Sequence, residues 1–236
     1  EREHENYGIT HTIFYELVDE NLKKQIINYY KAECRVCEGV DLREVVSLGM
    51  SPLANNLLED AKEVEDLYPL EMNFCPNCKN CQLSFTVPAS KMFDDYLYVS
   101  STNQTFIDHF RLMADEFIKD FDLNEKSFVV DVGSNDGVFL SPLKEKGLNV
   151  LGVDPAKNLV DLANANGLET IQGYFDHKIA KEILESKGKA DLVTAFNVFA
   201  HADDLRSIIK NAFKILRDDG TFIIEVQYLM DTIKDL

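Results

Sequence analysis

The chain has 236 residues, 45% of them apolar and 28% charged, an ordinary globular composition with room for one large domain or one medium and one small one. With 24 Lys and Arg against 41 Asp and Glu the net charge is −17, which argues against a nucleic-acid grip and against an anionic membrane face. The apolar runs fall far short of the ~20 residues that span a bilayer, and with no charged-then-apolar leader a cytoplasmic location is expected.

In chain order, Phe14, Leu17, Val18, Leu22, Ile26, Ile27 and Tyr30 fall at helical spacing. They predict a packing helix over 13–31, within an N-terminal extension of residues 1–33. All five cysteines follow within the next stretch: Cys34 and Cys37 form one C-x-x-C, and Cys75, Cys78 and Cys81 a C-x-x-C-x-x-C. An odd count without a leader argues against a disulfide framework, and two knuckles supply the four thiolates of a closed tetrahedral zinc site. Buried free cysteines or a redox C-x-x-C are the plainer alternatives, but a redox motif should adjoin a βαβ pattern. The spacing leaves Cys75/Cys78 and Cys78/Cys81 both open as the second pair. We prefer Cys75/Cys78, because Cys81-Gln82-Leu83-Ser84-Phe85 alternates like a strand leaving the knuckle, with Cys81 inward. Residues 34–87 are expected to form this zinc-binding domain, with an insertion between the knuckles.

A connector over 90–101 ends in a Ser/Thr/Asn cluster suited to cap a helix, and Phe106, Phe110, Met113, Phe117 and Phe121 mark that helix. From Ser127 strand and helix alternate. Strands are predicted over 128–132, 149–153, 168–171, 191–196 and 221–226, with helices over 137–146, 158–166, 178–186 and 203–216. That alternation means βαβ units, a parallel sheet with helices on both faces, and an α/β Rossmann-like core over 88–236.

The first of these strands runs into Asp131-Val132-Gly133-Ser134-Asn135-Asp136-Gly137. In a parallel sheet the first strand–helix turn is the usual ligand cradle. Gly133 lets the backbone turn sharply, and Gly137 lets the next helix begin close in. A dinucleotide wants G-x-G-x-x-G, with its pyrophosphate on the helix N-terminus. Here the spacing is G-x-x-x-G with two acids beside it, which disfavours phosphate and suits the sulfonium and amino group of S-adenosylmethionine. Asp154, followed by Pro155, ends the second strand where an acid can accept both ribose hydroxyls. The plainer alternative has Asp136 capping a helix and Asp154-Pro155 only ending a strand. Asn197, His201, Glu225, Gln227 and Tyr228 stand at or after the ends of later strands, facing the crevice. His201 could orient or deprotonate a substrate, or simply precede the Asp203/Asp204 helix cap.

Taken together, the C-x-x-C module with Leu48-Gly-Met-Ser-Pro-Leu-Ala-Asn55, the Cys75-Pro-Asn-Cys78 and Gln82-Leu83 run, Tyr96-Leu-Tyr-Val-Ser-Ser101 and the Asp131–Gly137 loop resemble the zinc-binding sugar C-methyltransferases. The resemblance covers roughly residues 34–236. It implies a class I methyltransferase sheet, S-adenosylmethionine and zinc as cofactors, and Cys34, Cys37, Cys75 and Cys78 as metal ligands. It also implies methylation at C-3 of a nucleotide-linked 4-keto-6-deoxysugar, by removal of a proton α to the ketone and attack of the enolate on the sulfonium methyl. Tyr98 would reach into the active site and His201 would match a family histidine. In the family a Tyr/His–Glu–His motif, including the supposed base, and a second α/β domain follow the fifth strand, whereas this chain stops at Leu236. The resemblance therefore implies a C-terminally truncated chain with an incomplete sheet, one that binds zinc and donor and looks to a C-terminal domain as partner. A donor-binding module without turnover, and a NAD-binding protein with a zinc ribbon, are the competing readings.

Overall fold

The computed structural model describes residues 29–54, 56–58, 60 and 62–234. All but the last residues of the helix expected over 13–31 lie outside them. The described residues divide after Pro88 into two compact units.

In the first unit β1 (Arg43–Pro52), β2 (Leu67–Phe74) and β3 (Cys81–Leu83) form an antiparallel sheet in the order β1-β2-β3. The β1–β2 hairpin is the insertion between the two knuckles. Little apolar surface is buried here: Phe85 is covered, with the rings of Tyr29 and Tyr68 at 6.1 and 6.0 Å, while Val45, Val46, Leu48 and Met50 of β1 are exposed. The strand after the knuckle turns its alternation the other way from expectation. Gln82 is buried and Cys81 only half-buried, because the Gln82 amide is needed at the first knuckle: its Oε1 accepts Arg35 N–H at 2.8 Å and its Nε2 donates to Glu33 C=O at 3.0 Å.

The second unit opens with a short helix α1 (Ala89–Phe93), a 3-10 turn over Ser100–Thr102 and α2 (Gln104–Asp120), capped by Asn103, whose side chain accepts Thr105 N–H. The rest alternates as β4 (Phe128–Val132), α3 (Leu140–Glu145), β5 (Asn149–Asp154), α4 (Lys157–Ala165), β6 (Thr170–Gln172), α5 (His177–Ser186), β7 (Ala190–Phe196), a 3-10 turn over Phe199–His201, α6 (Leu205–Ile215), β8 (Leu216–Glu225) and α7 (Leu229–Lys234). The five strands are all parallel, in the order β6-β5-β4-β7-β8. The chain thus winds outward on one side of β4 and then crosses to β7 on the other, and this reversal opens a crevice at the carboxyl ends of the strands.

β4 is buried at all five positions, as a central parallel strand must be. Its side chains divide by the two-residue period. Phe128, Val130 and Val132 join Ile183, Ile208, Ala212 and Ile215 from α5 and α6, whereas Val129 joins Phe110, Ala114, Leu140, Leu143 and Ala163 from α2, α3 and α4. Two departures from the predicted elements have local causes. The helix expected from Gly137 starts only at Leu140, because Gly133, Asn135 and Gly137 all hold left-handed backbone, φ +68°, +53° and +83°. β8 begins at Leu216 rather than near Thr221, since buried Leu216 pairs with Ala190 before the register slips and resumes at Leu192–Thr221.

Candidate functional sites

In the first unit the Sγ atoms of Cys34, Cys37, Cys75 and Cys78 lie within 4.8 Å of one another. Two of the edges, Cys34–Cys78 and Cys37–Cys75, measure 3.5 and 3.6 Å. A tetrahedral zinc with bonds of about 2.3 Å would set sulfur–sulfur edges near ~3.8 Å, so the cage has the right size. The two knuckles are copies of one another. Cys34 N–H donates to Gly39 C=O and Glu38 N–H to Cys34 C=O; Cys75 N–H donates to Asn80 C=O and Lys79 N–H to Cys75 C=O. Glu38 and Lys79 occupy the same place in each turn, with φ +62° and +68°. This duplicated turn pairs Cys75 with Cys78 and leaves Cys81 outside, which spacing alone could not decide.

The electrostatics of the cage ask for a cation. The backbone N–H of Gly39 and the Asn77 amide, 3.3 Å from the sulfur, push the Cys37 thiol down to about 6. Cys78 is pushed up to about 12: the Asn80 N–H favours its thiolate, but burial and the facing sulfurs of Cys34, Cys37 and Cys75 outweigh it. Four thiolates cannot share this space unless a metal neutralises them.

In the second unit a cavity of about 540 Å³ opens at the carboxyl ends of β4, β5 and β7. It is lined by Tyr98, Asp131, Gly133, Ser134, Asn135, Asp154, Pro155, Asn197 and His201, so the crevice gathers residues that the sequence spreads over a hundred positions. Asp136 and Gly137 stand behind it. Asp136 does not cap a helix; its Oδ2 accepts Ser101 N–H at 3.2 Å and its Oδ1 is buried without a partner, as is Ser134 Oγ. Gly137 faces Leu168, whose Cδ1 would stand 2.4 Å from any added Cβ. A Cβ on Gly133 would meet Val198 Cγ2 at 2.3 Å, so glycine is required there by both space and φ.

Two buried carboxylates dominate the floor. Burial pushes Asp131 up to about 7, opposed by the Thr194 hydroxyl that donates to it at 2.7 Å and helped by the charge of Asp154. Burial also raises Asp154, against the N–H groups of Ala156 and Asn135 that its two oxygens accept at 2.9 Å each. No Lys or Arg stands among the lining residues. A pyrophosphate would meet two buried carboxyl groups and, among the described residues, no Lys or Arg, whereas a cationic ligand carrying hydroxyl groups finds both a counter-charge and acceptors. Asn197, also left-handed at φ +55°, ties to Glu225 at the end of β8 through its Nδ2 at 3.0 Å. His201 closes a 3-10 turn, with its ring 6.4 Å from that of Phe93. Sequence reasoning missed Thr194, beneath Asp131, and Tyr174, whose hydroxyl donates to Asp94 at 2.7 Å. Neither belongs to a motif: the β4–β7 register sets Thr194 beside Asp131, and the loop after β6 carries Tyr174 to the cavity.

This strand order, the crevice at its reversal and the acidic cradle define a class I methyltransferase core, and the comparisons agree. Residues 106–234, more than half of the chain, match the family model described as "Methyltransferase domain", and residues 34–93 match the one described as "Putative zinc binding domain". The chain belongs to the methyltransferase-domain family, with S-adenosylmethionine and zinc as its cofactors.

Among known proteins, C-methyltransferase NovU of Streptomyces niveus is 37% identical over 205 residues, which are 86% of this chain and 49% of NovU. A ubiquinone biosynthesis O-methyltransferase of Hydrogenovibrio crunogenus is 32% identical over 107 residues, 44% of each chain. The chain thus spans about half the length of the curated relatives it matches. A solved S-adenosylmethionine-dependent methyltransferase from Clostridium acetobutylicum aligns with 50% of this chain and 49% of its own, at 20% identity and TM-score 0.42.

Proposed function

We propose that this chain is the metal- and donor-binding part of an S-adenosylmethionine-dependent C-methyltransferase acting on a nucleotide-linked 4-keto-6-deoxysugar in branched deoxysugar biosynthesis, in the cytoplasm. The observation that carries the donor reading is the acidic cradle free of Lys and Arg, at the sheet's reversal point. Methyl transfer to carbon is supported by the similarity to C-methyltransferase NovU, and a sugar substrate by the resemblance of the cysteine, 48–55, 96–101 and 131–137 motifs to the zinc-binding sugar C-methyltransferases.

We assign Cys34, Cys37, Cys75 and Cys78 to a structural zinc. Asp131 would face the donor's positive charge and Asp154 its ribose hydroxyls, with Gly133, Ser134, Pro155 and Asn197 forming the walls; Asn135, Asp136 and Gly137 hold the loop in shape. Once bound, S-adenosylmethionine supplies an electrophilic methyl group. At the substrate's reacting end, the Tyr98 phenol donates a hydrogen bond to the keto oxygen as charge develops there, and the His201 imidazole orients or accepts the α proton. The sugar's diphosphate finds no Lys or Arg among the described residues that line this cavity, so we assign it to a C-terminal domain of the whole protein.

A second reading, donor binding without turnover by this chain alone, is favoured by that same lack of a diphosphate-binding cation. The test incubates the chain, and the whole protein, with methyl-labelled donor and a 4-keto-6-deoxysugar nucleotide. Label in the sugar with the whole protein alone supports the proposal and the second reading together, and label with the chain alone removes the second reading. Calorimetry that finds tight NAD binding and no heat from the donor sinks both.

A further inference from the structure

Asn135 sits in the donor loop, yet its side chain turns away from a ligand's needs and grips another segment. Its Nδ2 donates to Tyr98 C=O at 3.0 Å, and its Oδ1 accepts Ser100 N–H at 3.0 Å. The same Oδ1 accepts Asp136 N–H at 2.9 Å, and Asp136 in turn accepts Ser101 N–H. Asn135's own N–H donates to Asp154 Oδ2 at 2.9 Å. One residue therefore bonds the carboxylate assigned to the donor ribose and the backbone on both sides of Val99. The other end of this strap is held separately. Asp94 is bonded by the Tyr174 hydroxyl and Lys157 N–H, and Tyr96 by both atoms of the Asn158 amide. Tyr98 lies between these two anchors, half of its surface open, lining the cavity.

We propose that Asn135 is a positioning residue: it clamps the 98–101 strap to the donor loop, so that filling the Asp131/Asp154 cradle sets the place of the Tyr98 side chain. The inference rests on the donor reading above. The left-handed φ of +53° explains the residue type, because Asn tolerates that backbone and also offers a donor and an acceptor from one planar amide. Glycine would keep the backbone and lose the clamp; Asp would keep the acceptor for Ser100 and set an oxygen against the Tyr98 carbonyl.

The protein has no tryptophan, so Tyr98→Trp supplies a single fluorescent reporter on the strap. The full chain is prepared with and without Asn135→Gly and Asn135→Asp. Amide hydrogen exchange at Ser100 and Ser101 is expected to quicken by about tenfold in Asn135→Gly, which loses the side-chain bonds to Tyr98, Ser100 and Asp136, and by less in Asn135→Asp, which loses only the one to Tyr98. S-adenosylmethionine at saturating concentration should shift the indole emission of the Tyr98→Trp protein, and in Tyr98→Trp/Asn135→Gly that shift should be lost with donor still bound. Unchanged exchange at Ser100 and Ser101 overturns the clamp. A donor affinity lost by about tenfold or more in Asn135→Gly, with the strap still protected, overturns it as well and makes Asn135 a direct ligand. Failure of the donor to bind the unsubstituted chain at all strikes the functional reading instead, and the exchange result still decides whether the clamp exists.

Discussion

The two units hold themselves together by different means. In the second, apolar side chains on both faces of β4 and β7 and on one face of β5 are wholly enclosed: Val129, Val130, Leu151, Leu192 and Val193 are all 0% exposed. In the first, Phe85, Cys34 and Cys75 are the buried apolar side chains among the described residues, and β1 presents valines and leucine to solvent. A sheet this small cannot bury enough surface to offset the entropy of ordering its chain. Its four thiols supply the deficit once a metal joins them. The comparison teaches that one stretch of sequence can specify its fold by burial and another by coordination chemistry.

The largest expected effect tests that difference directly. Structural zinc contributes on the order of 10 kcal/mol of apparent folding energy in small modules, so chelation, or Cys75→Ser, should unfold the described part of the first unit, residues 29–88, while the second unit keeps its own melting transition. Hydrogen exchange mapped along the chain reads this; loss of protection in both units together would break the comparison. In the second unit, Leu192→Ala should cost about 2–5 kcal/mol in urea unfolding and leave zinc content at one per chain.

Asp131 gives a pH signature that belongs to the second unit alone. Because burial holds its carboxyl up to about 7 in the fold against 3.8 in the open chain, the stabilising protonated form is complete below pH 3.8 and is lost as pH rises through 7. Stability should fall across that window by on the order of 4 kcal/mol, and Asp131→Asn should remove most of the slope, leaving the part that comes from Asp154. Affinity for the cationic donor should move the other way, rising as Asp131 ionises, which calorimetry at several pH values would show. Gly133→Ala is expected to cost about 1–2 kcal/mol and most of the donor affinity, since its Cβ collides with Val198 and its φ is left-handed. Smallest is Cys81→Ser, within about 0.5 kcal/mol and without loss of zinc; a fall in metal content would return Cys81 to the ligand set and undo the duplicated-knuckle assignment.

Much of this was legible along the chain. Alternation from Ser127 onward announced the five parallel strands, because buried strands and amphipathic helices carry their periods in sequence. The acids Asp131 and Asp154 were legible too, each at the end of a strand that pattern alone could place. Less visible were the late start of α3 and the early start of β8, where left-handed residues and one buried leucine overrode propensity. Asp136, expected among the acids of the donor loop, stands behind the cavity and accepts Ser101 N–H, a partner thirty-five residues away that no local signal could name.

By itself, then, the sequence determined the strand–helix alternation from Ser127 onward, the thiols and the acidic loop, all of which depend on neighbours close along the chain; the β1–β2 hairpin it left as an insertion. Tertiary structure alone decided which cysteines face one another, why Gly133 must be glycine, and how Asn135 reaches Tyr98. Those depend on atoms far apart in sequence brought within about 3–4 Å, and hydrogen bonds, metal cages and close contacts act only at that range.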